Sequence, residues 1–177
     1  MILCACPTYE GKSYALGRWL EAFHNFNHSE RSMFMVDNSP GTLSYLHDLR
    51  EQGVPSCHVE PMSEFWDSLE MQWQEIVIHA HEIEAEWIAS IEADMICPPD
   101  TLNVLLEASG GYKCISHDYR ARNEEGGRTV SLGCSLLDTS WLWSTRYMWR
   151  PSFENYIFSS GANRELTGLL EIEHLDG

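Results

Sequence analysis

The stretch WIASIEADMICPPDTLNVLL, residues 87–106, decides how the chain is read. Trp87 to Ile91 is an apolar run of the length a buried strand needs. Pro98-Pro99-Asp100 then opens a helical pattern through Leu102, Leu105 and Leu106, which Gly110-Gly111 stops. Between strand and helix stand Glu92 and Asp94, two residues apart, so both side chains leave the carboxyl end of the strand in the same direction. Two charges at the exit of a buried strand are unfavourable unless something binds them.

The alternation of strand and helix continues on both sides. Residues 1–6 form a short apolar strand ended by Pro7, and Leu16, Trp19, Leu20 and Phe23 repeat at helical spacing from Ser13 onward. Residues 32–36 make a second strand, closed by the turn cluster Asp37-Asn38-Ser39-Pro40-Gly41, and a short helix runs through Leu43, Leu46 and Leu49 to Gly53. A third strand over 56–60 precedes a long helix with Ser63 as the expected N-cap. Its expected core stripe is Phe65, Leu69, Trp73, Ile76, Val77, Ala80 and Ile83.

Beyond Gly111 the order changes. Residues 112–117 and 129–137 read as strands around Glu124-Glu125-Gly126-Gly127, a tryptophan-rich helix follows over 140–147, and residues 168–174 alternate as a last strand. Strands separated by helical patterns predict an α/β fold: a mostly parallel, Rossmann-like central sheet flanked by helices, with a small antiparallel excursion in the C-terminal half.

A length of 177 residues suits a single compact domain over 1–177. No segment reaches the roughly 18 uninterrupted apolar residues of a membrane span, and MILCACPTYEG lacks a basic leader, so the expected location is cytoplasmic. The formal charge of −16 makes the chain a poor general polyanion binder. That charge is uneven: residues 1–110 hold 4 basic and 18 acidic side chains, residues 111–177 hold 7 and 9. Six cysteines without a leader or a CxxC pair read as buried thiols. His79, His81, Cys57 and His58 lack the spacing that fixes a structural zinc site.

In an open α/β sheet, ligands bind outside the carboxyl ends of the strands. Those ends carry Pro7-Thr8-Tyr9-Glu10-Gly11, Asp37-Asn38, Glu92-Ala93-Asp94 and His174. Carboxylates gathered in a low-dielectric cleft repel one another unless a divalent cation neutralises them. Oxygen ligands suit Mg²⁺ or Mn²⁺, and one imidazole tilts the choice toward Mn²⁺. A hard cation with few protein ligands shares its other positions with water and phosphate oxygens, so a phosphorylated substrate is expected.

PTYEG after the first strand, MVDNSPG at the end of the second, IEADM-x-x-PPD-x-L-x-x-LL, GCSLLDTSWL and the final EIEHLDG occur in this order over nearly the whole chain. Together they resemble the nucleotide-sugar-dependent glycosyltransferases of the GT-A fold, those of family 2 above all. The resemblance implies a metal-dependent, inverting sugar transfer from a nucleoside-diphosphate sugar to an acceptor hydroxyl. It implies a donor-binding half over 1–110 and an acceptor-side half over 111–177.

Position by position, Asp94 matches the last acid of the DxD-type motif and His174 the late histidine that completes the metal shell. Glu92 stands at the first acidic position. Asp37 and Asn38 match the segment that holds the donor's base, and Pro7, Thr8, Tyr9, Glu10 and Ala93 line the donor. Glu154 lies where the family places the base that deprotonates the acceptor, although Asn155 replaces the second acid of the usual pair; Asp118 is the substitute. Gly133 and Cys134, in a turn with Ser135, fall on the acceptor side. Trp141, Trp143 and Trp149 are either stacking surfaces there or core.

Arg120, Arg122 and Arg128 keep open a phosphate-bearing acceptor, such as a hydroxylated base in viral DNA, beside a glycan. A nucleotidyltransferase and a catalytically inactive nucleotide- or glycan-binding domain are the alternatives. A nucleotidyltransferase is expected to carry a glycine-rich basic loop after the first strand, where PTYEGKS has Lys12 and only Gly11.

Overall fold

The computed structural model describes residues 1–41, 43–120, 128–145 and 161–175. The chain builds β1 (Ile2–Thr8), a one-turn 3-10 helix (Glu10–Lys12), α1 (Ser13–Asn25), β2 (Arg31–Asp37), α2 (Ser44–Glu51), β3 (Ser56–His58) and α3 (Phe65–Glu82). It continues with β4 (Trp87–Ile91), β5 (Met95–Ile96), α4 (Thr101–Glu107), β6 (Cys114–Arg120), β7 (Arg128–Asp138), α5 (Thr139–Thr145), β8 (Asn163–Leu166) and β9 (Glu173–His174). Seven strands form one sheet in the order β3-β2-β1-β4-β7-β6-β8. Only β7 runs against the others, pairing antiparallel with both β4 and β6. This is the expected mostly parallel sheet with its antiparallel excursion.

Alternation along each strand sorts side chains onto two faces. Ile2, Cys4 and Cys6 of β1 enter a core with Leu16, Trp19, Leu20 and Phe23 of α1, Tyr45 and Leu49 of α2, and Leu102 and Leu105 of α4. Leu3 and Ala5 enter a second core with Trp73, Ile76, Val77 and Ala80 of α3 and Leu142 of α5. Burial on both faces explains why the strands read as continuous apolar runs. Each fully buried large apolar side chain contributes about 1.5–3 kcal/mol relative to exposure, and the α1 stripe alone supplies four.

Four expectations shift. Pro7 lies inside β1 rather than ending it. The α3 stripe begins after Phe65, which is 67% exposed on the first residue of the helix. The N-cap of α3 is Glu64 in extended backbone rather than Ser63. The expected last strand over 168–174 shrinks to β9, because Gly168 adopts a φ of 68° and Leu169 faces solvent. β9 pairs antiparallel with β5, Met95 opposite His174. Among the described residues, no helix is long and apolar enough to cross a membrane.

Candidate active site

Parallel strands deliver their carboxyl ends to one edge. Thr8, Asp37 and His58 stand in register there at the ends of β1, β2 and β3, and the Glu92-Ala93-Asp94 turn follows β4 beside them. Asp94 is fully buried, and Leu175 N–H donates to its carbonyl at 2.9 Å. That bond and the β5–β9 pairing carry His174 against the turn, with Nε2 3.5 Å from Asp94 Oδ2. Glu92, Asp94 and His174 each offer one ligand atom, all within 4.8 Å of one another.

Glu92 is positioned from β7. Its N–H donates to Gly133 O at 2.9 Å, and its carboxylate lies over the Gly133 Cα, where a Cβ would come within 2.8 Å of Oε1. Glycine at 133 therefore leaves the space that the Glu92 carboxylate fills. Gly133 and Cys134 form strand interior rather than the expected turn. Cys134 is fully buried, 3.9 Å from Cys97 Sγ. Its neighbour Cys97 and its own burial push its thiol up, and burial pushes Cys4 up to about 12. Cys134 is thus an inert core thiol and not a surface for an acceptor.

The segment carrying His174 is pinned from several sides. Asp118, 4% exposed, accepts Gly168 N–H at 2.9 Å. His117, fully buried, accepts Leu170 N–H on Nε2 at 3.1 Å, so Nδ1 carries the proton and donates to the Asp118 carbonyl at 2.7 Å. Arg18 of α1 forks onto Glu173 at 3.0 and 2.7 Å, and the Tyr119 ring meets His174 edge-on. Tyr14 OH lies 3.3 Å from Asp94 Oδ2 and 3.4 Å from Leu175 O. The Lys12 ammonium forms an ion pair with the same Asp94 oxygen.

The carboxyl ends of β1, β2 and β3 are equally built. Asp37 is fully buried; its Oδ1 accepts from Ser39 N–H at 2.9 Å and Ser39 Oγ at 2.5 Å, and His58 Nδ1 meets Oδ2 at 2.9 Å. Ser39 Oγ in turn accepts Glu10 N–H at 2.7 Å, which ties the loop after β1 to the loop after β2. Gln72 of α3 donates one amide group to Thr8 O and Val36 O at 3.0 and 2.6 Å. Asn38 N–H also bonds Thr8 O, and Thr8 Oγ1 faces Tyr45 OH at 3.3 Å. Tyr9 is 46% exposed, with its ring over Gly11. Two of the other histidines are used elsewhere: His79 stacks on Phe34 and His81 on Trp143.

Pro7, Thr8, Tyr9, Glu10, Asp37, Asn38, Glu92, Ala93, Asp94 and His174 thus share one edge of the sheet. Trp141 does not join them. It follows Asp138, which pairs with Trp87 at the amino end of β4, and so packs on the opposite edge against the α3 core. Trp143 lies on the same helix. Arg120 and Arg128 pair in register at the far end of the β6–β7 hairpin, on the edge that carries Asp94. Arg122, Trp149 and Glu154 lie outside the described residues. Lys12, Tyr14, Ser39, His58 and Gln72 were not among the expected site residues. The one available signal was that Lys12 is one of only two lysines and closes the first strand–helix loop.

Solved structures share this architecture at low identity. The chain aligns with residues 1–349 of S. aureus TarS at a TM-score of 0.64 and 12% identity, covering 93% of this chain and 57% of that one. It aligns with the mannosyltransferase PcManGT from Pyrobaculum calidifontis, solved with GDP-Man and Mn²⁺, at a TM-score of 0.62 and 16% identity, covering 94% and 54%. For 4-diphosphocytidyl-2C-methyl-D-erythritol synthase from Anaerococcus prevotii the TM-score is 0.65 at 8% identity, covering 95% and 87%. The chain spans little more than half of the first two structures. What it has in common with all three is the GT-A-like, Rossmann-like fold. No family model matches the chain, and no curated protein matches it in sequence.

Proposed function

We propose that the chain is a divalent-metal-dependent glycosyltransferase domain that moves a sugar from a nucleoside-diphosphate sugar to an acceptor hydroxyl with inversion. The observation that carries this is the convergence of Glu92, Asp94 and His174, from β4 and β9, onto ligand atoms within 4.8 Å. Two carboxylates and an imidazole are a donor set that Mn²⁺ or Mg²⁺ accepts. Glu92, Asp94 and His174 would hold the ion. When bound, it would supply Lewis-acid stabilisation of the charge on the departing diphosphate, worth several kcal/mol.

The chain's own residues do the rest. The Thr8-Tyr9-Glu10 loop and the Asp37–His58 pair, locked together through Ser39 and Gln72, hold the nucleoside. Inverting transfer forms the bond from acceptor oxygen to the anomeric carbon as the bond to diphosphate breaks, and the acceptor proton passes to a carboxylate. We assign that proton to Glu154. Asp118 holds Gly168 N–H and is assigned to positioning the His174 segment. Residues 111–177 form the acceptor side in this assignment. The register of Arg120 with Arg128 favours a phosphate-bearing acceptor, a hydroxylated nucleic-acid base among them.

The test is hydrolysis and transfer from a panel of nucleotide sugars with and without Mn²⁺. Turnover that needs Mn²⁺ and disappears in Asp94→Asn supports the assignment; metal-independent turnover unaffected by that substitution refutes it. Lys12, on the loop after β1 and paired with Asp94, favours a second activity, nucleotidyl transfer. Release of pyrophosphate from a nucleoside triphosphate and a sugar phosphate, without release of nucleoside diphosphate from any nucleotide sugar, would identify it.

A further inference from the structure

One oxygen, Asp94 Oδ2, is approached by three groups: the Lys12 ammonium, Tyr14 OH at 3.3 Å and His174 Nε2 at 3.5 Å. The Asp94 side chain is 0% exposed, and a buried carboxylate without a counter-charge is strongly unfavourable. Lys12 supplies that charge in this structure. A divalent ion bound to the same carboxylate would place two cations side by side in a site of low dielectric, where like charges repel far more strongly than in water. The two cations therefore compete for the same carboxylate oxygen.

Lys12 sits on a segment that can yield. It ends the 3-10 helix Glu10–Lys12, none of whose residues is buried, and its side chain keeps 20% exposure on a flexible four-carbon stem. We propose that Lys12 is the resident counter-cation of the site: it holds Asp94 until a divalent ion displaces it, and this competition sets the metal affinity. The inference rests on the metal site assigned above. It adds that the metal-free protein keeps its acidic cleft folded without an ion, and that metal entry turns a lysine out of the carboxylate.

The test is Mn²⁺ binding to the intact chain, followed by the electron paramagnetic resonance signal of the free ion. Lys12→Met is expected to bind Mn²⁺ at least about tenfold more tightly than wild type, and Lys12→Arg to stay within about threefold. Lys113→Met, which removes the same charge from a pair with Asp138 at the other end of the sheet, is expected to leave the affinity unchanged. Without metal Lys12→Met melts lower than wild type, and saturating Mn²⁺ raises its Tm by more than it raises that of wild type. Should Lys12→Met fold only with Mn²⁺ present, that requirement supports the same competition, and Lys12→Gln then provides the affinity comparison. Wild type binding Mn²⁺ through Asp94, with Lys12→Met or Lys12→Gln binding no more tightly, overturns the inference and leaves the metal site standing. Absence of any Asp94-dependent Mn²⁺ uptake in wild type and variants alike overturns the metal site itself.

Discussion

Replacing Gly133 by alanine should disable the proposed metal site from a neighbouring strand. A Cβ at 133 would lie 2.6 Å from Met95 Cε, 2.8 Å from Glu92 Oε1 and 3.0 Å from Glu92 Cδ. Carbon contacts settle near 3.5–4.0 Å, so about 1 Å of overlap must be relieved. Met95 is fully buried, and the Glu92 N–H to Gly133 O bond at 2.9 Å keeps the two backbones together. The part-exposed Glu92 carboxylate is the group that moves, away from Asp94 and His174. Overpacking of this kind costs about 2 kcal/mol, a Tm lowering of roughly 4–8 °C for a chain of this size. Loss of a properly held ligand should weaken Mn²⁺ binding about 10- to 100-fold. Scanning calorimetry reads the first effect and Mn²⁺ titration the second, with Glu92→Gln as the variant that removes the charge without the clash. Gly133→Ala binding Mn²⁺ like wild type would refute the placement of Glu92 in the cluster.

Three further outcomes follow from the fold. Gln72→Leu removes both amide bonds to Thr8 O and Val36 O and should lower stability by about 1–3 kcal/mol in urea unfolding; an unchanged midpoint would deny that Gln72 clamps the ends of β1 and β2. Glu84 follows α3 at a φ of 55°, so Glu84→Gly should stabilise the chain by about 1 kcal/mol, and a lower Tm would contradict the helix end drawn here. Burial pushes the Asp138 carboxyl up, but Lys113, Ser140 Oγ and the Trp141 N–H together hold it below its ordinary 3.8. A depressed folded-state pKa gives stability that is present above 3.8 and lost as pH falls through the folded value. The Tm gap between wild type and Asp138→Asn should therefore be open at neutral pH and close in acid; a gap that widens on acidification would invert the assignment.

Much of the architecture was legible because its signals are local. Leu16, Trp19, Leu20 and Phe23 announce α1 by spacing alone, and the apolar run Trp87–Ile91 announces a strand covered on both faces. β8 was not legible: in Asn163-Arg164-Glu165-Leu166 only Leu166 is buried, which leaves no period to read. β5 and β9 are two residues each, and their pairing depends on the chain returning from residue 174 to residue 95. The acids and the histidine of the site could be collected from strand ends because the parallel topology sends those ends to one edge. Lys12 and His58 could not, since their partners lie 82 and 21 residues away and nothing in the local sequence links them. Of the two alternatives for Trp141 the structure takes the core one, because β7 runs antiparallel and sends the helix after it to the opposite edge.

The central claim is that Glu92, Asp94 and His174 hold a divalent ion that in turn holds a nucleoside diphosphate. Calorimetric titration of UDP and of GDP into the protein, with and without Mn²⁺, tests it most directly. Coupling between metal and nucleotide should tighten binding of at least one nucleotide by about 10- to 100-fold in wild type, and Asp94→Asn should erase the difference. Nucleotide affinity that is the same with and without Mn²⁺, or an Asp94→Asn variant that keeps the full enhancement, would contradict it.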